Sequence, residues 1–594
     1  NINDSHSFAD NANIALDISQ SNITLSDLSP LIPALREFSL PIALNCHAHG
    51  TLNDIRIKHL SLNMNDDDIA LNASAHIANA LLADSIDINI NPIQATTSQE
   101  GIASLCQNLG LKETRAINIL DEMGISTLNG RLVLTPMHAE GNITLFSQLG
   151  DILSDISITR DSINAPLHCI GYIESDGLHL NKILGEKSKL GLTAFNLEAN
   201  TILHSNKPHY ATLTGKIDRL DYNNYSYNDI TLYGKYRHNN ISGRITMDDI
   251  NGSIDAHGTL SSKKDSTSID VKMACKDLDL AAFNLAPQTQ GKTLSFNIDA
   301  GYTGTTIDDA NGVIDIHDII YGNNEQQMEW NQILVEVRND THPHELTISS
   351  DYINGKVSGE YTTTTLPRTI FNMAAPLLPS LIEVDKTASR ANDNTMYNDL
   401  EWNISIRPNV EMSHILQLPF TLTDTANIDG YIKESERDAR IDVSIPNVWM
   451  GKTHIEDVSL RINHNNELMN ITAQAGLMNK KKQLTIWSIN GQAHNDNIDV
   501  GIHWNTNTET TYCGSIKLDS QLSRKNVNKN GLNVAVNILP TDIIINDTIW
   551  NIKPACITIE DKEIAVNNLE VSRPSQHIYI DGLVSETPED TLHV

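Results

Sequence analysis

Apolar residues recur at every second position over most of the chain, and short polar turns separate the runs. Residues 232–260, LYGKYRHNNISGRITMDDINGSIDAHGTL, show the unit in full. Leu232, Gly234 and Tyr236 share one face, and a turn follows at 237–240. Ile241, Gly243, Ile245 and Met247 then share a face, and after a turn at 248–251 so do Ile254, Ala256, Gly258 and Leu260. A period of two puts one face of a strand in a dry environment and the other in water. The pattern predicts antiparallel hairpins repeated along one body, with function spread over a long surface.

Helical periodicity interrupts this text in few places. Over 97–110, Ile102, Leu105, Cys106 and Leu109 share a helical face, Thr97 and Glu100 fit a capping box, and Gly110 fits a C-terminal stop. A second helix is expected over 112–123, closed by Gly124. An apolar helix is expected over 368–383, kinked or ended by Pro376 and Pro379 and suited to covering an edge or lying in a groove. Residues 385–398 read as a polar linker. Three segments, 171–185, 271–285 and 404–418, vary one theme of strand, polar break and short apolar stretch, and predict short helices on one rim of the sheet. The expected organisation is strand repeats over 1–96, a helical insert over 97–124, repeats over 125–365, a Pro-broken helix and linker over 366–398, and repeats over 399–594.

Roughly 35–40 strands stacked at about 4.8 Å give a sheet on the order of 170–190 Å long. A sheet of that size twists and curls. Its continuous apolar face must close on itself or fold around something apolar, because burial is worth about 25 cal/mol per Å². The expected fold is therefore all-β: a long, curled antiparallel sheet with an open U-shaped groove and a few short helical inserts. A bulge between Ile217 and Leu220 shifts the phase locally.

The net charge of −32 sets nucleic acid aside as a partner. Aromatic residues make up 5% of the chain, with six Trp, which argues against a string of immunoglobulin-like sandwiches. The six cysteines form no C-x-x-C motif, and Cys275, in phase with Ile269, Val271 and Met273, is expected to be a buried apolar residue. No run approaches the 18 or so apolar residues of a membrane span, and no signal peptide is visible. The chain begins at Asn1 and is expected to be a segment of a longer protein, with any anchor outside it.

Catalytic motifs are missing: there is no nucleophile elbow, P-loop, zincin motif or dinucleotide fingerprint. The His47/His49 pair faces one way on a strand and reads as surface histidines. His342 and His344 flank Pro343 in a turn and are expected to be solvated. Asp66, Asp67 and Asp68 lack the spacing of a calcium loop. No enzyme activity, metal or cofactor is expected.

Residues 214–260, TGKIDRLDYNNYSYNDITLYGKYRHNNISGRITMDDINGSIDAHGTL, resemble the Bacteroidota branch of the TamB family (the inner-membrane component of the translocation and assembly module), within the wider AsmA-like group. The shared order is a G-x-I-x-x-L-x-Y strand, a Y-x-x-I-x-L-x-G strand and a G-x-I-x-x-D-x-N-G hairpin. Residues 312–361 and the Pro-broken helix after them are similar to the same family. The resemblance implies the central stretch of a periplasmic β-taco, tethered to the inner membrane by an N-terminal helix outside this chain. It implies phospholipid transport between the inner and outer membranes for outer membrane biogenesis, with an outer-membrane barrel protein of the Omp85 type as partner and phospholipid acyl chains as cargo. A role in protein secretion through outer-membrane protein assembly, as a scaffold without lipid flow, is the alternative.

On that reading the groove is lined by the inward residues of the alternating runs: Ile241, Ile245, Ile254, Val271, Met273, Ile298, Val335, Val443, Leu460, Ile471, Val500, Ile502, Val536 and Ile580. Two other classes predict different text. A β-rich surface adhesin predicts discrete domains and sugar-stacking aromatics, and a β-helical polysaccharide-degrading enzyme predicts parallel coils with an outer carboxylate cluster. Tight hairpin turns disfavour the second, since they join antiparallel strands.

Overall fold

The computed structural model describes residues 12–24, 26, 41–64, 68–108, 119, 122–162, 164–185, 187–204, 207–263, 266–382, 397–465, 467–478, 483–506, 511–524, 531–560, 563–587 and 590–594. Among these residues the fold is all-β, with 36 strands and four short α-helices. The strands run as consecutive antiparallel hairpins, as the alternation predicts. Two compact units emerge, one of residues 1–264 and 269–295, the other of residues 265–268 and 296–594.

Asn and Asp make the hairpins possible. His238–Asn239, Asn223–Asn224, Asn495–Asp496 and Asn546–Asp547 each hold two successive residues at positive φ, between 45° and 64°. Two left-handed residues make the mirror-image turn whose twist matches that of the flanking strands. Asn and Asp tolerate this conformation better than other side chains bearing a Cβ. The expected bulge is present against the Leu190–His204 strand: Ala194 faces Arg219 and Phe195 faces Ile217, which leaves Asp218 as the extra residue.

In the first unit the register carries one apolar row across twelve strands. It runs Ile57–Ala75–Ile90–Leu132–Gly141–Ile156–Gly171–Ala199–Leu213–Gly234–Gly243–Gly258. A nearby row on the opposite face is polar but for one leucine: Asn45–Ser61–Asn72–Gln94–Asn129–Thr144–Leu153–Glu174–Asn196–Lys216–Thr231–Thr246–Asp255. Bulges between Ile57 and Leu60, Ala73 and Ala75, and Ile90 and Ile93 fall in neighbouring strands, so the apolar side chains stay on one face through the kink.

A polar lock closes one rim of this unit. Asp249 is buried and accepts hydrogen bonds from the Tyr225 hydroxyl, the Asn228 amide (3.0 Å) and the Asn251 amide (3.0 Å). Tyr225 packs edge-on against Tyr227 and Phe283, with centroids 4.8 and 4.9 Å away. Burial, reinforced by Asp249, pushes the Tyr225 phenol up to about 12. Burial alone would raise the Asp249 carboxyl, but its hydrogen-bond donors outweigh it and hold the group below the usual carboxylate value. A depressed carboxyl stabilises the fold above its unfolded pKa, about 3.9, and that contribution is lost as pH falls through the lower folded value. Asp249→Ala is expected to cost about 2–3 kcal/mol by stranding buried donors and to abolish this acid-side loss. Hydrogen exchange at the Asn228 and Asn251 amides between pH 5 and 2 checks both effects.

The helices follow the sequence in part. The first spans Gln99–Asn108, and its cap is Ser98 rather than Thr97: Ser98 Oγ accepts the Gly101 amide (3.0 Å) and donates to Asp68 (2.9 Å). Thr97 is the last residue of a strand, so its backbone is committed to the ladder. The second expected helix, apart from 119, 122 and 123, lies outside the described residues, as do Leu109, Gly110, Asp66 and Asp67. Of the three expected rim helices, Leu180–Leu184 and Val410–Leu416 form. In 271–285 a hydrogen-bonded turn takes the helix's place, with Asp279 Oδ1 accepting the Ala281 and Ala282 amides and Asn284 at φ 56° ending it. Cys275 is buried, and burial pushes its thiol up to about 11. No helix of the described residues is long and apolar enough to cross a membrane.

Candidate functional site

The second unit carries the same two-faced construction. One apolar row runs Val335–Ile348–Gly355–Ile404–Ile428–Val443–Leu460–Ala473–Ile489–Ile502–Ile516. Next to it Ile462–Ile471–Gly491–Val500–Leu518–Ile538–Ala555 continues the face. The opposite face carries Thr347–Lys356–Asn403–Asp429–Asp442–Arg461–Thr472–Asn490–Gly501–Lys517. Its charges pair with one another: Asp442 takes Arg440 and Arg461, and Lys356 Nζ lies 2.6 Å from Glu345. Exposed pairs of this kind add little stability and keep the outer face wet.

On the apolar face lies a cavity of about 840 Å³. That volume is within the range of about 300–1,000 Å³ typical of ligand sites. Its walls are aliphatic and aromatic: Val335, Val337, Leu346, Val357, Trp402, Ile441 and Ile462 on the sheet, and Leu366, Ile370 and Met373 on the helix opposite. Tyr361 also lines it, and burial raises that phenol. The register explains how one surface arises from so many strands. Val337, Leu346, Val357 and Trp402 are successive cross-strand partners, and Gly430 and Ile441 continue the row.

Glycine levels the face. A Cβ on Gly430 would overlap the indole of Trp402, and one on Gly514 would overlap that of Trp504. Each indole therefore lies flat over the neighbouring glycine instead of standing up from the sheet. Trp504 also stacks on Trp487 at 5.5 Å. At both places a large side chain laid over a glycine keeps the apolar face low.

The Pro-broken segment borders the cavity. Its helix spans Leu366–Ala374, beginning earlier than expected because Pro367 suits the first turn, and ending before Pro376. Leu377 and Leu378 then bury themselves against Ala493 and Leu522, Leu377 to 1% exposure. Polar anchors hold the strap to successive hairpin ends. Glu434 accepts from Thr369 Oγ1 (2.9 Å) and the Asn398 amide (3.1 Å); Asp496 accepts the Ser380 amide (2.8 Å); Arg524 Nε donates to the Ser380 carbonyl (2.6 Å). Each nitrogen of the buried His464 faces a carbonyl, that of Met373 at 2.9 Å and that of Arg437 at 3.1 Å. Ile370 lines the cavity yet stays 61% exposed, so the strap flanks an open mouth instead of sealing it.

Asn398 departs from its expected place in a polar linker. Residues 385–396 of that linker lie outside the described residues, as does 383 at the end of the expected helix, but Asn398 itself is fully buried. Its Nδ2 donates to Thr369 Oγ1 (2.7 Å) and Thr365 Oγ1 (2.9 Å), and its Oδ1 accepts the Thr362 amide (2.7 Å). Composition marks Asn as a loop residue; only its position beneath the strap makes it an internal hydrogen-bonding post.

Of the residues expected to line a groove, Val335 lines the cavity. Val443, Leu460, Ile471, Val500, Ile502 and Val536 lie on the same face through the ladder, with Val536 opposite Ser520 and Ile557. Ile580 pairs with Leu569 after a bulge. In the first unit Ile241 faces Leu260, Ile245 faces Leu232 and Ala256, and Ile254 faces Met247, all on the apolar face. Val271 abuts Gly258 on that face, Met273 follows in phase, and Ile298 is half-buried in Thr293–Thr303. Trp402, Ile441 and Ile462 also line the cavity and stand outside the expected set, although Trp402 alternates with Leu400 and Ile404 within the expected repeats over 399–594.

The histidine pairs divide. His47 lies on the polar face, 3.6 Å from Asp17, as a surface residue. His344 is not solvated: it is only 9% exposed, with Nδ1 3.2 Å from the Tyr361 carbonyl, because the strand it opens packs against the end of the Ile353–Glu360 strand. No family model matches the chain, and no curated protein shows significant similarity to it.

Proposed function

We propose that this chain is a stretch of a non-enzymatic bridge for phospholipid. Acyl chains lie along the apolar face while head groups stay at its wet mouth. The reading places the protein in the periplasm, tethered to the inner membrane by a segment outside this chain, and delivering lipid toward an outer-membrane barrel of the Omp85 type for outer membrane biogenesis.

The observation that carries it is the unbroken apolar row, strand after strand within each unit, with the strap-flanked cavity seated on it in the second. A contiguous apolar surface of this extent is costly to leave in water, and mid-sized patches on soluble proteins mark binding sites. Glycine-levelled rows offer acyl chains similar contact at each step, so no deep well traps the cargo. A uniform surface of this kind needs no catalytic group.

Native mass spectrometry with lipid extraction of the purified chain tests the proposal. Several co-purifying phospholipids per chain are expected. A stable, lipid-free protein would put the scaffold reading first, with the apolar face serving assembly of outer-membrane proteins.

A further inference from the structure

We propose that His342, His344 and Glu360 form a binding site for one divalent cation of the zinc class. His342 and His344 flank the start of the His344–Ser350 strand, and Glu360 ends the Ile353–Glu360 strand. The antiparallel register pairs His344 with Gly359, which brings Glu360 beside the two imidazoles. One donor atom from each of the three residues lies within 4.8 Å of the others. Glu360 Oε2 is 3.0 Å from His342 Nδ1. A tetrahedral ion with bonds of about 2.0–2.1 Å sets its donors about 3.3 Å apart, so this pair already has nearly the needed spacing.

His344 distinguishes the cluster from an ordinary surface ion pair. Its Nδ1 meets the Tyr361 carbonyl, which only accepts, so in the neutral ring Nδ1 is the N–H and Nε2 offers the lone pair. Metal-bound imidazoles characteristically donate their other N–H to a carbonyl or carboxylate in this way. The Tyr361 ring, edge-on to His344 at 5.7 Å, fixes the imidazole plane. The exposed His342 ring has room to turn onto an ion, its centroid 5.3 Å from that of His344. Two imidazoles and one carboxylate favour zinc or its neighbours over calcium and magnesium, which take oxygen donors. Three protein donors leave the fourth position to water. Bound there, the ion pins the turn before His344 to the strand end that carries Tyr361, and so stiffens one wall of the cavity. The site stands independently of the lipid reading.

Cobalt(II) titration of the full chain, stripped with chelator, tests it. A tetrahedral visible absorption band saturating at one ion per chain and displaced by zinc is the expected result. His342→Ala, at an exposed position, and Glu360→Gln, a near-isosteric change at a half-buried one, are each expected to weaken binding at least tenfold and to leave the melting temperature of the metal-free chain unchanged. Zinc is expected to raise the melting temperature of the unsubstituted chain and not of the variants. No band, or a band that both variants retain unchanged, would overturn the proposal; in the second case the ion sits elsewhere on this acidic surface.

Discussion

Ile245→Asp is expected to cut lipid carriage at least tenfold while the chain stays folded. Ile245 lies on the apolar face between Leu232 and Ala256, and 54% of its surface is already exposed. The fold therefore loses little when its side chain is replaced. A carboxylate facing acyl chains is another matter: stripped of water it costs several kcal/mol, enough to interrupt an apolar path. The control is Thr231→Asp, on the adjacent strand but facing water, where Lys216 is the cross-strand neighbour. Transfer of fluorescent phospholipid between vesicles, together with lipid counts from native mass spectra, reads the difference. Equal transfer by the two variants would show that the apolar face is not a conduit at Ile245.

Leu377→Ala is expected to release the strap. Truncating a fully buried leucine costs about 2–5 kcal/mol, the transfer of its methyl groups plus the cavity left behind. Leu377 stands at the upper part of that range, because Leu378, Ala493 and Leu522 are fixed around it by backbone hydrogen bonds that include Asp496 N–H to the Leu377 carbonyl at 2.8 Å. Loss of hydrogen-exchange protection at the Asp496 and Leu522 amides is the direct readout. Phe371→Ala, on the same strap but largely exposed, serves as the comparison and is expected to change stability by less than about 0.5 kcal/mol. If the cavity holds lipid, the Leu377 variant also loses part of its lipid load, since the strap supplies Leu366, Ile370 and Met373 to the wall.

The effects differ in kind. Ile245 tests a surface that many strands share, so the fold is expected to tolerate a change that lipid carriage would not. Leu377 tests a single packed contact, where stability moves first. A protein built as a periodic sheet spreads its stability over nearest-neighbour strand pairs, which explains why its apolar face can remain partly exposed without unfolding it.

Alternation in the sequence by itself determined the all-β class, the antiparallel hairpins, the apolar face and most residues on it. Strand side chains have a period of two, and hairpin turns of Asn and Asp fix the register from one strand to the next. Ile241, Ile245, Val335, Val443 and Val500 were legible for that reason, and the bulge after Ile217, against the Leu190–His204 strand, was legible from a break in phase. Tertiary structure alone decided what alternation does not encode. Trp402 lying flat over Gly430 depends on which strand is its neighbour. The burial of Asn398, the anchoring of the strap by Glu434 and Asp496, and the meeting of His342 and His344 with Glu360 join residues 16 to 116 positions apart. Such contacts are set by where the strap and the strand ends come to rest, and no local periodicity carries that information.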